Sequence, residues 1–146
     1  MSSAQPFRSI LTIAAALTVV VWATTLFAQT AAPAQTPTEA FTAYRKALAG
    51  AKDYDALLPF MDAKNRAMIE GMTTEMRAGM FELMKKFEAT YSDVAVAGET
   101  PKGEAVVLSL TGKDPNGQPA KGSVTMTKEA TGWKVSGAER WSSRPS

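Results

Sequence analysis

The 146-residue sequence contains no histidine and no cysteine. Without histidine the chain lacks the imidazole that most often binds zinc, acts as a general base or titrates near neutral pH. Without cysteine it has no thiol nucleophile, no disulfide and no ligand for an iron–sulfur cluster. We therefore expect no cofactor and no metal site, and a fold that is stabilised by packing alone.

The chain also lacks a large excess of either positive or negative charge. The chain has 16 basic and 14 acidic residues, and the basic residues are spread along it without clusters. Binding to nucleic acid requires a concentrated basic patch that faces the phosphates. The composition therefore argues against nucleic acid as a partner.

The first 28 residues have the pattern of an export signal. Arg8 precedes an uncharged apolar segment at 10–23, and Leu26-Phe27-Ala28 then leads into Gln29. This order of a basic region, an apolar region and a small residue is typical of a secretory signal peptide. We expect cleavage after Ala28 and a periplasmic or secreted protein.

A membrane anchor is the alternative for the same segment. Residues 10–28 carry no charge and are long enough to span a bilayer if they are not removed. The membrane would then be a partner, with the domain outside the cytoplasm. Further along, we expect a flexible linker at 29–36, a single domain at 37–141 and a disordered tail at 142–146, because the linker and the tail are poor in apolar residues.

The domain begins with helical patterns. Thr36, Pro37 and Glu39 form a capping box with proline at the first helical position, and Gly50 is a stop signal. Asp53 can cap a second helix that Pro59 shortens or kinks. A third helix is predicted over about 64–88.

Alternating apolar residues then predict an antiparallel sheet, because only short turns separate the strands. Four strands are marked by Val94/Val96, Val106/Leu108/Leu110, Val124/Met126 and Trp133/Val135. Helices followed by strands predict an α+β domain with the N-terminal helices packed on one sheet face. The opposite face carries short polar side chains, which suits either solvent or a homodimer through the sheet.

Two segments resemble nuclear-transport-factor-2-like (cystatin-like) domains. The first matches at Tyr44, Ala47, Leu48, Gly50, Asp53, Asp55, Leu57 and Leu58, and the second, 128–135, looks like the family's last hairpin. The resemblance implies a curved antiparallel sheet around the helices, a conical pocket and dimers through the sheet. It also implies functions that range from isomerases and cyclases to ligand-binding and accessory modules.

We expect the pocket to be lined by Tyr44, Met72, Met76, Leu108, Met126, Trp133 and Glu139. The sequence assigns no catalytic residue. If the domain is an enzyme, Tyr44 is the oxyanion donor that the isomerase branch implies. Glu139 is its candidate acid, because it shares the inward parity of Trp133 and Val135.

Methionines are the other unusual feature. Five of the eight recur at intervals of four residues, at Met68, Met72, Met76, Met80 and Met84. A helical stripe of methionine mixed with leucine and phenylalanine is typical of core packing or a pocket wall. Thioethers also bind Cu(I), which keeps a copper site as an alternative.

Together these features favour an exported, non-enzymatic module that binds a small apolar ligand or a protein partner. An acid–base enzyme of the isomerase or cyclase type is the alternative in the same pocket, and Cu(I) binding is the third hypothesis.

The leader gives a direct prediction. Protein purified from the exported fraction is expected to have an intact mass that begins at Gln29, because the signal peptide is cleaved there. Mass spectrometry of the intact protein measures this. A mass that retains residues 1–28 would contradict cleavage and favour the membrane anchor.

Overall fold

A computed structural model describes residues 35–142. These residues form an α+β fold in which helices come first and an antiparallel sheet follows, as the sequence predicts. The proposed signal peptide and most of the linker lie outside the described residues. None of the described helices is long and apolar enough to cross a membrane.

The elements follow one another along the chain with short connections. The helices are α1 (Pro37–Gly50), a short 3₁₀ helix (Asp55–Phe60), α2 (Ala63–Glu70) and α3 (Thr74–Thr90). The strands are β1 (Ser92–Lys102), β2 (Ala105–Lys113), β3 (Pro119–Glu129), β4 (Gly132–Val135) and β5 (Arg140–Ser142).

Helix α1 begins at the predicted capping box. The Thr36 hydroxyl accepts a hydrogen bond from the Glu39 backbone N–H at 3.1 Å, and the Glu39 carboxylate accepts one from the Thr36 N–H at 2.8 Å. The helix buries Phe41, Tyr44 and Leu48 and ends at Gly50. Local capping and apolar spacing therefore predict this helix at both ends.

The second predicted helix is a 3₁₀ helix, consistent with the proline inside it. Pro59 lies within the segment and has no backbone N–H, so a regular α-helix cannot form through it. The Asp53 carboxylate accepts a hydrogen bond from the Ala56 N–H at 3.2 Å. The helix begins after Tyr54, so Asp53 lies one residue before the cap position and accepts a first-turn N–H from there.

The third helix is two helices, which corrects the prediction of one continuous helix over 64–88. Helix α2 ends at Glu70 with Gly71 as its C-cap, and the Thr73 hydroxyl then caps α3 by accepting a hydrogen bond from the Met76 N–H. A threonine that accepts a backbone hydrogen bond starts a new helix more readily than it continues an old one. The methionine stripe is therefore divided between two helices and the turn that joins them.

The sheet has five strands in the described part of the chain, one more than predicted. Strand β3 pairs with β2 along one edge. On its other edge it pairs with β4 at 126–129 and with β5 at 121–123. The sequence pattern missed β5 because it has only three residues, and Ser142, which was expected to begin the tail, is its last residue.

The segment between β4 and β5 leaves the sheet edge before the chain returns to it. Gly137 has a φ of +149°, a conformation that residues with a Cβ rarely adopt. This excursion matters because the next residues, Ala138 and Glu139, lie at the end of the molecule where the helices meet the sheet.

The main core lies between the helices and one face of the sheet. Its largest fully buried side chains are Phe41, Leu57, Ile69, Leu108, Leu110, Val124 and Met126. The strand residues among them are those whose alternation predicted the inward face. The face assignment made from the sequence therefore agrees with the packing.

Trp141 on β5 lies across two glycines of the sheet. A Cβ at Gly122 would lie 2.7 Å from a ring atom of Trp141, and one at Gly112 would lie 3.1 Å from another. The indole also stacks on Tyr91, with ring centroids 4.4 Å apart and planes inclined by 12°. The two glycines are therefore required for the ring to rest on the sheet.

Replacing Gly122 tests this contact. Gly122→Ala places a methyl group inside the indole's contact distance, so we expect a loss of about 1 to 3 kcal/mol in the free energy of unfolding, measured by chemical denaturation. Gly98→Ala on β1 is the matched control, because no atom lies within 4 Å of its added Cβ. An equal effect of the two substitutions would contradict the proposed packing.

Candidate ligand-binding site

A cavity of about 320 Å³ opens between α1, α2, α3 and the chain segment 135–141. Of its 18 lining residues, only Arg45, Glu88 and Glu139 are charged. Most of the others are aliphatic, aromatic or methionine side chains. The lining is therefore apolar along most of its extent and charged at one place.

Two tyrosine hydroxyls donate hydrogen bonds to the same sulfur atom in the cavity wall. The Tyr44 hydroxyl donates to the Met84 sulfur at 3.6 Å, and the Tyr54 hydroxyl donates to the same atom at 3.8 Å. Burial raises the pKa of Tyr44 well above its ordinary value, and the negative charge of Glu139 raises it further. Burial also raises the pKa of Tyr54. Both phenols are therefore neutral donors at physiological pH.

Glu139 is held by residues from two different elements. The Arg45 guanidinium on α1 lies 3.1 and 3.3 Å from the two Glu139 carboxylate oxygens. The Trp141 indole N–H donates to Glu139 Oε2 at 2.9 Å. These bonds fix the carboxylate at the charged end of the cavity.

Glu88 on α3 lies on the other side of the same guanidinium. Its Oε1 is 3.7 Å from Arg45 Nη2, which is an ion-pair distance but too long for a strong hydrogen bond. The side chains of Arg45, Glu88 and Glu139 are 17%, 22% and 15% exposed, respectively. One cation and two anions are therefore partly shielded from solvent at this end.

The rim of the cavity is apolar and exposed. Its large side chains and their exposed fractions are Met68 (51%), Met80 (37%), Leu83 (52%) and Phe87 (63%). Scattered exposed apolar residues are ordinary, whereas a group of them around a concave opening is typical of a binding site. The rim offers apolar surface that a bound molecule would cover.

Two of the residues predicted for the pocket line this cavity. Tyr44 and Glu139 both contribute to its wall. Their polar groups are engaged separately, because Tyr44 donates to Met84 while Glu139 accepts from Arg45 and Trp141.

The other five predicted pocket residues lie elsewhere. Leu108 and Met126 are fully buried in the core, which the helices fill completely at that depth. Met72 is in the turn between α2 and α3, and Met76 is 58% exposed outside the cavity. Trp133 is partly buried beside the Lys128 ammonium, 5.8 Å from the ring centroid.

Several residues that line the cavity were not predicted from the sequence, and they differ in whether a sequence pattern could have identified them. Trp141 has the same strand parity as Glu139, so the pattern that selected one could have selected the other. Arg45 pairs with a residue 94 positions away, and no local pattern indicates that contact. Met84 belongs to the methionine stripe, but the spacing of the stripe does not distinguish it from Met76, which is on the same helix and does not line the cavity.

Within residues 35–142, no three acidic side chains come close enough together to hold a metal ion. The break between α2 and α3 interrupts the methionine stripe, and Met68, Met80 and Met84 nevertheless line the same cavity. The arrangement is suited chemically to holding an apolar molecule with one polar end.

The buried tyrosine predicts how stability depends on pH. Tyr44 keeps its proton in the folded state above the pH at which an unfolded tyrosine loses it, near 10. The contribution of the Tyr44 proton to the free energy of unfolding is therefore complete below about pH 10 and is lost as the pH rises further. Between about pH 10 and 11 the wild-type free energy of unfolding should fall more steeply than that of Tyr44→Phe, by up to about 1.4 kcal/mol per pH unit. Urea denaturation measures both slopes, and equal slopes would show that Tyr44 is not buried as described.

No family model and no curated protein matches the chain. Two solved structures are similar to it, each with a TM-score of 0.41. One is a SEC-C-motif protein from Rhodopseudomonas palustris, 14% identical, for which the match covers 72% of this chain and 73% of that one. The other is a nuclear-transport-factor-2-like protein of unknown function from Shewanella baltica, 17% identical, with 75% and 92% covered. At these TM-scores and identities, neither likeness assigns a family or a function to the chain. The helices followed by an open antiparallel sheet are consistent with the nuclear-transport-factor-2-like cone.

Proposed function

We propose that this domain binds one small apolar molecule in the cavity and does not act on it chemically. The observation that carries the proposal is the cavity of about 320 Å³ with an exposed apolar rim. A concave, mostly apolar site with a few polar groups is the usual form of a small-molecule site.

The volume limits the size of the ligand. Small-molecule sites span about 300–1,000 Å³, so this cavity is at the small end of that range. A water-sized or methylene-sized group occupies about 30 Å³, which leaves room for about ten such groups. A ten-carbon alkyl chain is therefore a suitable test ligand.

The expected affinity follows from the burial of the alkyl chain. Each buried methylene contributes about 0.8 kcal/mol, so ten of them contribute about 8 kcal/mol before the entropy cost of association is subtracted. A total of about 8 kcal/mol corresponds to a Kd of about 1 μM. We therefore expect a Kd weaker than about 1 μM.

The acid–base enzyme remains the second hypothesis, and the geometry favours it less. A general acid or base must reach the reacting atom of the substrate with a free oxygen. Both Glu139 oxygens already accept hydrogen bonds, and the Tyr44 hydroxyl donates to a sulfur. If the hypothesis is correct, Glu139→Gln abolishes turnover of the substrate.

Export and dimerisation complete the proposal. The charge pattern of residues 1–28 supports a role outside the cytoplasm, in the periplasm or after secretion. The short polar side chains on the outer sheet face support a homodimer through that face, which stays a prediction.

Binding of decanol tests the proposal, because this alcohol supplies a ten-carbon chain without a charge. Isothermal titration calorimetry is expected to show saturable binding of one molecule per chain. Met80→Gln replaces an apolar wall with an amide of similar size and should weaken binding about fivefold.

Met76→Gln is the matched control. It makes the same replacement one turn earlier on α3, at an exposed residue that does not line the cavity. Its Kd for decanol should stay within about twofold of the wild-type value. Absence of saturable binding, or equal weakening by both substitutions, would refute the proposed site.

A further inference from the structure

The cavity lining carries an excess of negative charge. Its only charged residues are one arginine and two glutamates, Arg45, Glu88 and Glu139, so the sum of their formal charges is −1. All three side chains are less than a quarter exposed, so solvent screens them less than it screens surface charges. The charged end therefore favours a ligand group of positive charge.

The two carboxylates differ in how fully they are satisfied. Glu139 receives the Arg45 guanidinium on both oxygens and the Trp141 indole on one. Glu88 has a single contact at 3.7 Å from Arg45, and the described residues give its oxygens no hydrogen bond. Glu88 therefore retains the capacity to accept hydrogen bonds from a bound molecule.

The electrostatic potential at Tyr44 in the cavity wall is negative as well. After burial, the negative charge of Glu139 raises the pKa of Tyr44 most, followed by Tyr54. Arg45 lowers this pKa by less than Glu139 raises it, and Glu88 raises it least. The Tyr44 hydroxyl therefore lies in a net negative potential although a guanidinium is nearby. A cation in the same space would be stabilised by that potential.

An anionic head group fits this end poorly. Arg45 is the only cation in the lining, and its guanidinium is already shared between Glu139 and Glu88. A carboxylate or phosphate that approached Arg45 would also approach two like charges, which is unfavourable.

We propose that the ligand is a cationic amphiphile, an alkylammonium whose apolar chain fills the cavity and whose ammonium group donates to Glu88 at the charged end. This inference rests on the proposed binding function and names the chemical class of the ligand. An ammonium is a compact charge with several donors, which suits a carboxylate that has free acceptor capacity. The chain follows the apolar wall towards Met80 and Leu83 at the rim.

Three ten-carbon compounds that differ only in the head group test the charge preference. Decylammonium, decanol and decanoate are titrated by calorimetry near pH 7, each below the concentration at which it forms micelles. Decylammonium is expected to bind about tenfold more tightly than decanol, which corresponds to 1.4 kcal/mol, and decanoate is expected to bind most weakly. The preference for decylammonium should also decrease as salt is added.

A substitution assigns the preference to one residue. The quantity measured is the ratio of the decanol Kd to the decylammonium Kd. Any effect of the substitution that weakens both ligands equally leaves this ratio unchanged. Glu88→Gln removes the charge but keeps the shape, and the ratio should fall from about ten to about two. Glu82→Gln is the control, because Glu82 is exposed on the same helix and does not line the cavity. It should leave the ratio unchanged.

The outcomes separate this inference from the function on which it rests. If decanol and decylammonium bind equally, or decanoate binds best, the cationic ligand is wrong and the apolar binding site stands. If Glu88→Gln leaves the ratio at about ten, the assignment to Glu88 is wrong. If none of the three compounds binds, the proposed function itself fails.

Discussion

The position of the Trp141 indole determines how the sheet and the helices enclose the cavity. The ring rests on the bare backbone of Gly112 and Gly122, and its N–H donates to Glu139, which in turn pairs with Arg45 of α1. A hydrogen bond and an ion pair thus connect the last strand to the first helix. Because both interactions are partly buried, they hold a carboxylate in place that would otherwise lie in solvent.

Helix α3 forms the side of the cavity opposite Trp141. It contributes one side chain to the core and others to the exposed rim. Phe81 is buried in the core beside Tyr54, with ring centroids 6.3 Å apart, whereas Leu83 and Phe87 remain more than half exposed. A helix with part of its apolar surface uncovered is costly in water unless a ligand or partner covers it. The cavity and its rim are therefore one feature, an apolar space with an apolar entrance and a charged end.

Local signals predicted much of the fold, and long-range contacts account for what they missed. The capping box at Thr36 and the alternation of the strands depend on neighbouring residues, so they can be recognised in the sequence. The break at Gly71 was missed because a helical period continues across it. The alternation of apolar residues correctly placed Leu108 and Met126 on the inner face of the sheet. It could not show that the helices cover these two side chains, so that they belong to the core and not to the cavity wall. The site depends on contacts between distant segments, which no local pattern reveals.

Nuclear magnetic resonance of methionine methyl groups can show whether the ligand occupies the cavity, since the chain has eight methionines and only some of them line it. During a titration with decylammonium, we expect the signals of Met61, Met68, Met80 and Met84 to shift. The signals of Met76, on the outer surface of α3, and Met126, in the core, should remain in place. Shifts centred on Met76, or no shifts at saturating ligand, would contradict binding in the cavity.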